Sequence, residues 1–326
     1  MKRKSSIPLI SVVIPVYNGE LTIEDTVESV LNQTFMDFEL IVINDGSIDS
    51  TLDILSKFQD SRIKVFSYPN AGLSASRNRG IKHGCGELIS FIDADDLWTK
   101  DKLDAQLNSL RENPDAAVSY SWTDFIDMSG NLLGFGVCHT ANGYVFPDLL
   151  KFFFIGSGSN ALIYRHVFDE VGGFDETLTS AEDLDMFLRI AARYHFSVVP
   201  KHQILYRISD DSMSRNIIRQ ERESLKVIEN VYSREPGKNF LHLRKDTYAS
   251  LYIYLAAHTL RGEPDREKGI LAAKFLWRSI KYNLFIIKQV KYILMLIFKI
   301  ITVILLPPYI ARSLRKTVKS FIEHID

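Results

Sequence analysis

Apolar and polar positions come in blocks over the first third of the chain. Residues 9–16 form a short apolar, β-branched run ended by turn residues, the pattern of a buried strand. Residues 20–33 follow, with Ile23, Val27, Val30 and Leu31 at helical spacing. Residues 38–43 are the next apolar run, closed by Asn44-Asp45-Gly46-Ser47, and residues 50–58 place Leu52, Leu55 and Phe58 on one helical face. Residues 63–67 predict a third strand and residues 72–83 a helix rich in small and basic side chains. Residues 88–92 predict a fourth strand that stops at Asp93-Ala94-Asp95-Asp96. That alternation predicts an α/β fold built on a doubly wound, mainly parallel sheet.

In such sheets ligands bind beyond the carboxyl ends of the strands. Three of the four strands end in side chains suited to binding: Pro15-Val16-Tyr17-Asn18, Asn44-Asp45-Gly46-Ser47 and Asp93-Ala94-Asp95-Asp96. Asn, Asp, Gly and Ser are also turn formers, and a strand end carries them for backbone reasons alone. The acidic cluster at residues 93–96 is less easily put down to turns, because packed carboxylates repel each other unless a cation or donor compensates. No GxGxxG follows the first strand and no GxxxxGK[ST] occurs in the chain, which disfavours a dehydrogenase-type dinucleotide fold and a P-loop NTPase. The alternative is a carboxylate pair holding a divalent ion against a diphosphate; Mg²⁺ and Mn²⁺ prefer oxygen ligands.

The pattern changes further on. Residues 127–136 read as a hairpin around Ser129-Gly130-Asn131, and residues 156–164 return towards the core. Gly172-Gly173-Phe174-Asp175-Glu176 is a loop. Residues 180–193 predict a helix with Ser180 as its cap and Asp183 three residues on, a place where a carboxylate needs no catalytic role. From Asn216 strand signals vanish. Residues 219–232, 241–261 and 265–282 read as helices, with Pro264 suited to the start of the last. Residues 292–306 are an apolar run interrupted by Lys299 and Thr302 and ended by Pro307-Pro308. The expected organisation is a binding and catalytic domain at residues 1–215, a helical appendage at 216–283 and a basic, apolar, membrane-associating tail at 284–326.

Composition alters this picture in two places. The net charge of −1 argues against nucleic-acid partners, yet residues 274–320 hold ten basic and no acidic side chains, leaving the preceding residues at about −9. A span needs ~20 apolar residues, so the tail fits a helix lying on an anionic membrane surface better than one crossing it, with a buried packing helix as the alternative. Two cysteines, Cys85 and Cys138, exclude a disulfide framework and a cysteine zinc site, and read as inert packing residues. The start lacks a signal-peptide pattern, so the expected place is cytoplasmic, on the inner face of the cell membrane.

Six motifs stand in a familiar order: Ser11-Val12-Val13-Ile14-Pro15-Val16-Tyr17-Asn18, Asn44-Asp45-Gly46-Ser47 with Asp49 and Thr51, Ala75-Ser76-Arg77-Asn78-Arg79-Gly80, Asp93-Ala94-Asp95-Asp96, Gly172-Gly173-Phe174-Asp175 and Glu182-Asp183. Over residues 9–215 the sequence resembles family-two glycosyltransferases. The resemblance implies a GT-A-type fold with a C-terminal helical appendage, and an inverting, metal-dependent transfer from a nucleotide sugar, a UDP-sugar foremost. The acceptor implied is a glycan or glycolipid hydroxyl, such as a lipid-linked or surface-polysaccharide precursor. Carried over residue by residue, Pro15, Tyr17, Asn18, Asp45, Arg77, Asn78, Asp93 and Arg207 contact the donor. Tyr17 offers a face for the nucleobase, or is a core aromatic at a strand end. Asp45 accepts from the base edge, and the Arg77 fork meets base or diphosphate. Asp95, with Asp93, holds Mn²⁺ or Mg²⁺. Asp183 is the base that takes the acceptor proton, and Glu182 helps to position acceptor or loop. One departure stands out. The family often carries Tyr-Arg-x-His, and here Tyr206-Arg207-Ile208-Ser209 puts a hydroxyl in place of the imidazole. Either water completes the site, or Asp210 or His202 substitutes, or the metal is held weakly. Two other functions compete with transfer: nucleotidyl transfer on a similar sheet, and a catalytically degenerate, membrane-tethered nucleotide-sugar-binding protein.

Overall fold

In the computed structural model, residues 7–136, 138–208, 216–283 and 290–311 are described. Strand β1 (Ile10–Val16) and strand β2 (Phe38–Asn44) are buried along their whole length, which is why they read as unbroken apolar runs rather than alternating ones. They pair in parallel from Ile10 opposite Phe38 to Val16 opposite Asn44. β3 (Ile63–Ser67) adds to β2 and β4 (Leu88–Phe91) to β1, both parallel. Crossovers run through α1 (Ile23–Leu31), α2 (Thr51–Ser56) and α3 (Leu73–His83). Pro15 can stand in so central a strand because β4 pairs with β1 only over Ile10 to Val13, short of the position where its missing N–H would be felt. Helix α3 lies tightly on β1 at Gly80, where a Cβ would sit 2.1 Å from Val13 Cγ1. No other residue fits that approach.

The chain then adds β5 (Leu97–Trp98), α4 (Lys102–Glu112), β6 (Ala116–Ile126), β7 (Leu132–Phe135), α5 (Phe146–Lys151), β8 (Leu162–Tyr164), α6 (Arg165–Val171), α7 (Glu182–Ala191) and β9 (His195–Arg207). The sheet order is β3-β2-β1-β4-β8-β6-β9-β5, with β7 paired to β6. The β3-β2-β1-β4 part is parallel; β8 runs antiparallel to β4 and β6, and β9 parallel to β6. The architecture is thus the mixed, mostly parallel sheet of a GT-A-type fold. The hairpin expected at residues 127–136 is the antiparallel β6–β7 pair.

Two local expectations change. The helix expected from Ser180 begins at Glu182, and its cap position is Ala181, held in the left-handed region at φ 61°. Cys85 and Cys138, expected to pack inside, are both exposed.

The chain divides into two compact units, one of Met1–Leu149 with Phe153–Ser209 and the other of Leu150–Phe152 with Asp210–Asp326. The second contains α8 (Ile217–Ser233), α9 (Arg244–Thr259), α10 (Arg266–Tyr282) and α11 (Val290–Leu305). Asn216 caps α8 through the Arg219 amide at 3.0 Å, and Asp265, after Pro264, caps α10 through the Glu267 amide at 2.7 Å. Tyr252, Leu255, Phe275, Leu276, Ile293, Leu296 and Ile300 form its core. Among the described residues no helix is long and apolar enough to cross a membrane. Residues 284–289 and 312–326 of the basic tail, like Ser209 and Asp210, lie outside the described residues.

Candidate active site

The carboxyl ends of β1 and β2 form one side of the site. Tyr17, just past β1, is 53% exposed. Asn18 takes φ 52°, in the left-handed region where Asn is enriched among non-glycine residues. Its N–H donates to Ser47 Oγ at 2.9 Å and its Oδ1 accepts from the Ile48 amide at 2.9 Å. The Gly19 amide donates to Thr51 Oγ1 at 2.8 Å and the Glu20 amide to Asp49 Oδ2 at 3.0 Å. The loops after β1 and β2 are therefore zipped together, and the aromatic ring of Tyr17 is left open beside them.

Asp45 is buried and heavily used. Its carboxylate accepts from the Gly72 amide at 2.7 Å, from the Ala71 amide at 3.0 Å and from Arg79 Nη1 at 2.8 Å. A base edge would share this carboxylate with the loop before α3 rather than find it free. Arg79 also lies 4.5 Å over the Tyr68 ring.

The centre of the site is Arg77, 1% exposed. Its Nη2 donates to Asp93 Oδ1 at 2.7 Å and its Nη1 to Glu182 Oε1 at 2.8 Å. Burial opposes its charge, but Asp93, Glu182 and Asp183 outweigh burial and keep it cationic. A Cβ on Gly158 would stand 2.3 Å from Nη2, so the chain passes this guanidinium with no side chain. Arg77 thus faces carboxylates of its own chain, not open space. Asn78 does likewise: its amide accepts from the Phe174 N–H at 2.7 Å and donates to the Phe174 carbonyl at 2.9 Å and to Glu176 at 2.8 Å, clamping the Gly-Gly-Phe-Asp loop.

The acidic turn after β4 is held from three sides. Thr26 Oγ1 donates to the carbonyls of Ala94 and Asp96 at 3.0 and 2.9 Å. Ser159 Oγ accepts from the Asp93 amide at 3.0 Å and donates to Asp96 Oδ2 at 2.5 Å. Arg207, fully buried, gives its amide to Asp96 Oδ1 at 3.0 Å and its Nε to the Asp95 carbonyl at 2.8 Å. Its fork continues to the Met128 carbonyl at 2.5 Å and Asp25 Oδ2 at 3.2 Å. Asp25, Thr26, Gly158 and Ser159 are the supports that sequence reasoning missed. The only signal for the last two is the small polar run Ser157-Gly158-Ser159-Asn160.

Two carboxylates stand apart. Asp95 is partly exposed; desolvation and the Asp93 charge push it up to about 6, against its own amide and Arg207. Asp183, also partly exposed, accepts from the Leu184 amide at 2.8 Å; desolvation and Glu182 push it up to about 7, against the pull of Arg77. Asp185 pairs with Arg189 at 2.8 Å. Among the described residues no group of three or more His, Cys, Asp or Glu is arranged to hold a metal by itself. The Asp93–Asp95 pair still fits a Mg²⁺- or Mn²⁺-type ion, which takes one or two carboxylates and completes its shell with water and phosphate oxygens. Of the expected site residues, then, Tyr17, Asn18, Asp93, Asp95 and Asp183 remain accessible, while Pro15, Asp45, Arg77 and Arg207 are buried within the chain's own contacts.

Residues 11–258 match the model of the glycosyltransferase-like family 2. The chain belongs to that family. The match runs past residue 215 into α8 and α9. A putative teichuronic acid biosynthesis glycosyltransferase of Bacillus subtilis, TuaG, is 37% identical over 64% of this chain and 82% of its own length. An uncharacterized glycosyltransferase of Rickettsia typhi is 33% identical over 68% of this chain and 71% of its own. The chondroitin synthase of Pasteurella multocida is 28% identical over 72% of this chain, which spans only 24% of that protein. Against a glycosyltransferase of Rickettsia bellii the chain spans 29% of the relative's length. Among solved structures, S. aureus TarS 1-349 in complex with UDP-GlcNAc superposes with a TM-score of 0.53 at 18% identity, covering 83% of this chain and 88% of that one. At that identity the likeness is one of fold.

The Arg77 bridge yields a measurable expectation. Arg77→Met strands Asp93 and Glu182 without their cation and is expected to destabilise the chain by roughly 3 kcal/mol, as breaking a buried ion pair does. Arg77→Lys, lacking the planar fork, recovers only part of this. Urea unfolding of the three proteins checks it. Wild-type stability in Arg77→Met would mean that the bridge is not what holds the site.

Proposed function

We propose that the chain is an inverting glycosyltransferase moving a sugar from a UDP-sugar to a hydroxyl of a lipid-linked or surface-polysaccharide precursor. The observation that carries this reading is a pair of under-supplied carboxylates, Asp95 and Asp183, which follow closely in the chain on Asp93 and Glu182, the two carboxylates that Arg77 bridges. The names of relatives that make chondroitin or teichuronic acid support a polysaccharide product, and the TarS complex supports a UDP-sugar donor.

In this reading the nucleobase stacks on the open face of Tyr17, beside Asn18 and the Asp45-held loop. Asp93 and Asp95 face the diphosphate, where their own charges demand a counter-charge. A divalent ion held by Asp95 and Asp93, Mn²⁺ or Mg²⁺, would offset the charge developing on the departing nucleoside diphosphate. Asp183 accepts the acceptor hydroxyl's proton as that oxygen bonds to the anomeric carbon. The bond to the diphosphate breaks on the opposite face, so the configuration inverts. A carboxylate raised to about 7 is a stronger base than an ordinary one. Glu182 cannot share the task while it holds Arg77. Arg77, Asn78 and Arg207 position the acidic turn and the acceptor loop rather than touching the donor.

We also place the protein on the cytoplasmic face of the membrane, peripherally. Leu294, Phe298, Ile301 and Leu305 form an exposed apolar stripe on α11, while Ile293, Leu296, Ile300 and Val303 of the same helix are buried. The basic residues of 274–320 suit anionic headgroups.

Asp95→Ala is expected to abolish the metal dependence of donor binding and leave the fold intact. Titration of UDP-sugars with Mn²⁺ and with EDTA reads this out. Donor affinity that stays undiminished and EDTA-sensitive in the variant would sink the assignment, and no donor binding across UDP, GDP and dTDP sugars would sink the function.

Asp183→Asn is expected to lose about 10²–10⁴-fold in turnover while keeping donor affinity. Wild-type activity should rise with pH through about 7, because the base works only after losing its proton. The stability effect has the opposite sense. A carboxyl raised in the fold favours the protonated state, so its cost grows as pH climbs from the ordinary carboxylate range through about 7. The variant should therefore gain thermal stability over wild type at pH 8 and little at pH 4. Near-normal turnover in the folded variant would reassign Asp183 to the start of α7.

Because α11 also supplies core, the anchor is best tested on its outer face. Joint substitution of Leu294, Phe298 and Ile301 by Ser is expected to weaken flotation with anionic vesicles, and added salt to weaken wild-type flotation in part. Equal flotation of both proteins, or none by wild type, rejects the anchor.

A further inference from the structure

Apart from the residues of the acidic turn, three further side chains meet: Asp124 of β6, His202 of β9 and Cys138, which follows β7. His202 of β9 brings Nδ1 to 2.5 Å from Asp124 Oδ1 of β6, a close but bent contact. The other ring nitrogen, Nε2, lies 3.5 Å from the thiol of Cys138. Trp122 and Phe135 set their rings edge-on to the imidazole at 5.1 and 5.5 Å. Asp124 is buried, His202 partly so, and Cys138 is exposed. The proposed transfer uses none of them.

We propose that Cys138 is a nucleophilic thiol, with His202 as its base and the Asp124 charge beside the imidazole, and that it forms a mixed disulfide with a low-molecular-weight disulfide. A carboxylate at Nδ1 favours the tautomer with its proton there, which leaves the Nε2 lone pair facing the thiol. Nucleophile, base and orienting group within reach of one another are the parts such chemistry needs. In the exchange, Cys138 Sγ bonds to one sulfur of the small disulfide and that disulfide's S–S bond breaks. The thiol proton passes to Nε2 and then to the departing thiolate. Cys138 is oxidised, half of the small disulfide is reduced, and no further oxidant is required. Burial and the Asp124 charge hold the resting thiol above its ordinary range, so the proton must leave during attack, onto His202.

Cys85 supplies an internal contrast. It is exposed too, but its Sγ faces Glu39 Oε2 at 3.6 Å. Despite burial, Glu39 is held below the usual carboxylate range by Lys64, Ser11 and Cys85 itself, which makes it a poor base.

The full chain is treated with oxidised glutathione at neutral pH, and adducts are followed by intact mass and peptide mapping. Cys138 is expected to react at least tenfold faster than Cys85. His202→Gln and Asp124→Asn are each expected to slow Cys138 several-fold and leave the Cys85 rate, which reports the intact fold, unchanged. Equal rates at the two wild-type thiols overturn the proposal without recourse to any variant, as does an unchanged Cys138 rate in His202→Gln.

Discussion

A guanidinium buried to 1% exposure must find its counter-charges inside the protein, and that requirement at Arg77 orders the rest of the site. It joins α3 to the end of β4 through Asp93 and to the start of α7 through Glu182. Much of the local sequence follows. Gly80 lets α3 sink onto β1 so that Arg77 lies at that depth, and Gly158 leaves room for the fork. The Phe174 ring lies 5.2 Å from the guanidinium carbon, which brings the Gly-Gly-Phe-Asp loop into the same cluster. Ala181 takes a left-handed conformation costing about 1–3 kcal/mol, at the residue from which Glu182 turns inward to the same cation.

Arg207 does the complementary work on the acidic turn. Arg77 grips the turn by a side chain, that of Asp93. Arg207 grips it by backbone, taking the Asp95 carbonyl, and by giving its own amide to Asp96. Ser159 touches both Asp93 and Asp96. Asp96 is wholly buried between these donors; burial and the neighbouring carboxylates push its proton affinity well up. The turn is therefore rigid on every side except the one its Asp95 carboxylate occupies.

The parallel half of the sheet was legible because β1, β2 and β4 are buried on both faces and separated by amphipathic helices. β9 was not: its Pro200, Lys201 and His202 break both the apolar run and the alternation, and its pairing to β6 needs register shifts that local pattern cannot encode. β5, at two residues, carries no pattern at all. Within the site, the identities of the residues were legible from motif order, but their partners were not. Arg77 and Glu182 are 105 positions apart, and Arg207 and Asp25 are 182 apart. Spacing along the chain says that an arginine stands near a binding loop, not whether its fork faces a ligand or a carboxylate of its own chain. The cysteines failed for a related reason: free thiols are usually buried, and the neighbourhood of Cys138 and His202, 64 positions apart, exists only in the folded chain.

Counting donors separates the carboxylates that hold the structure from those left for chemistry. Asp45 accepts from two amides and an arginine, Asp96 from a hydroxyl and an amide, and Glu182 from a buried guanidinium. Asp95 and Asp183 have only their own or the next residue's amide among the described hydrogen bonds. Neither scarcity is an accident of exposure, since each stands next to a carboxylate that is served: Asp95 beside Asp96, Asp183 beside Glu182. A fold selected for stability alone would gain by supplying both, because an under-solvated carboxylate raised to about 6 or 7 destabilises the chain at neutral pH. The same deprivation gives Asp183 the basicity of a proton acceptor and leaves the Asp95 oxygens open. The strain is tolerable because the two fully buried arginines fix the neighbours, so that repulsion among the four carboxylates cannot relax by opening the turn.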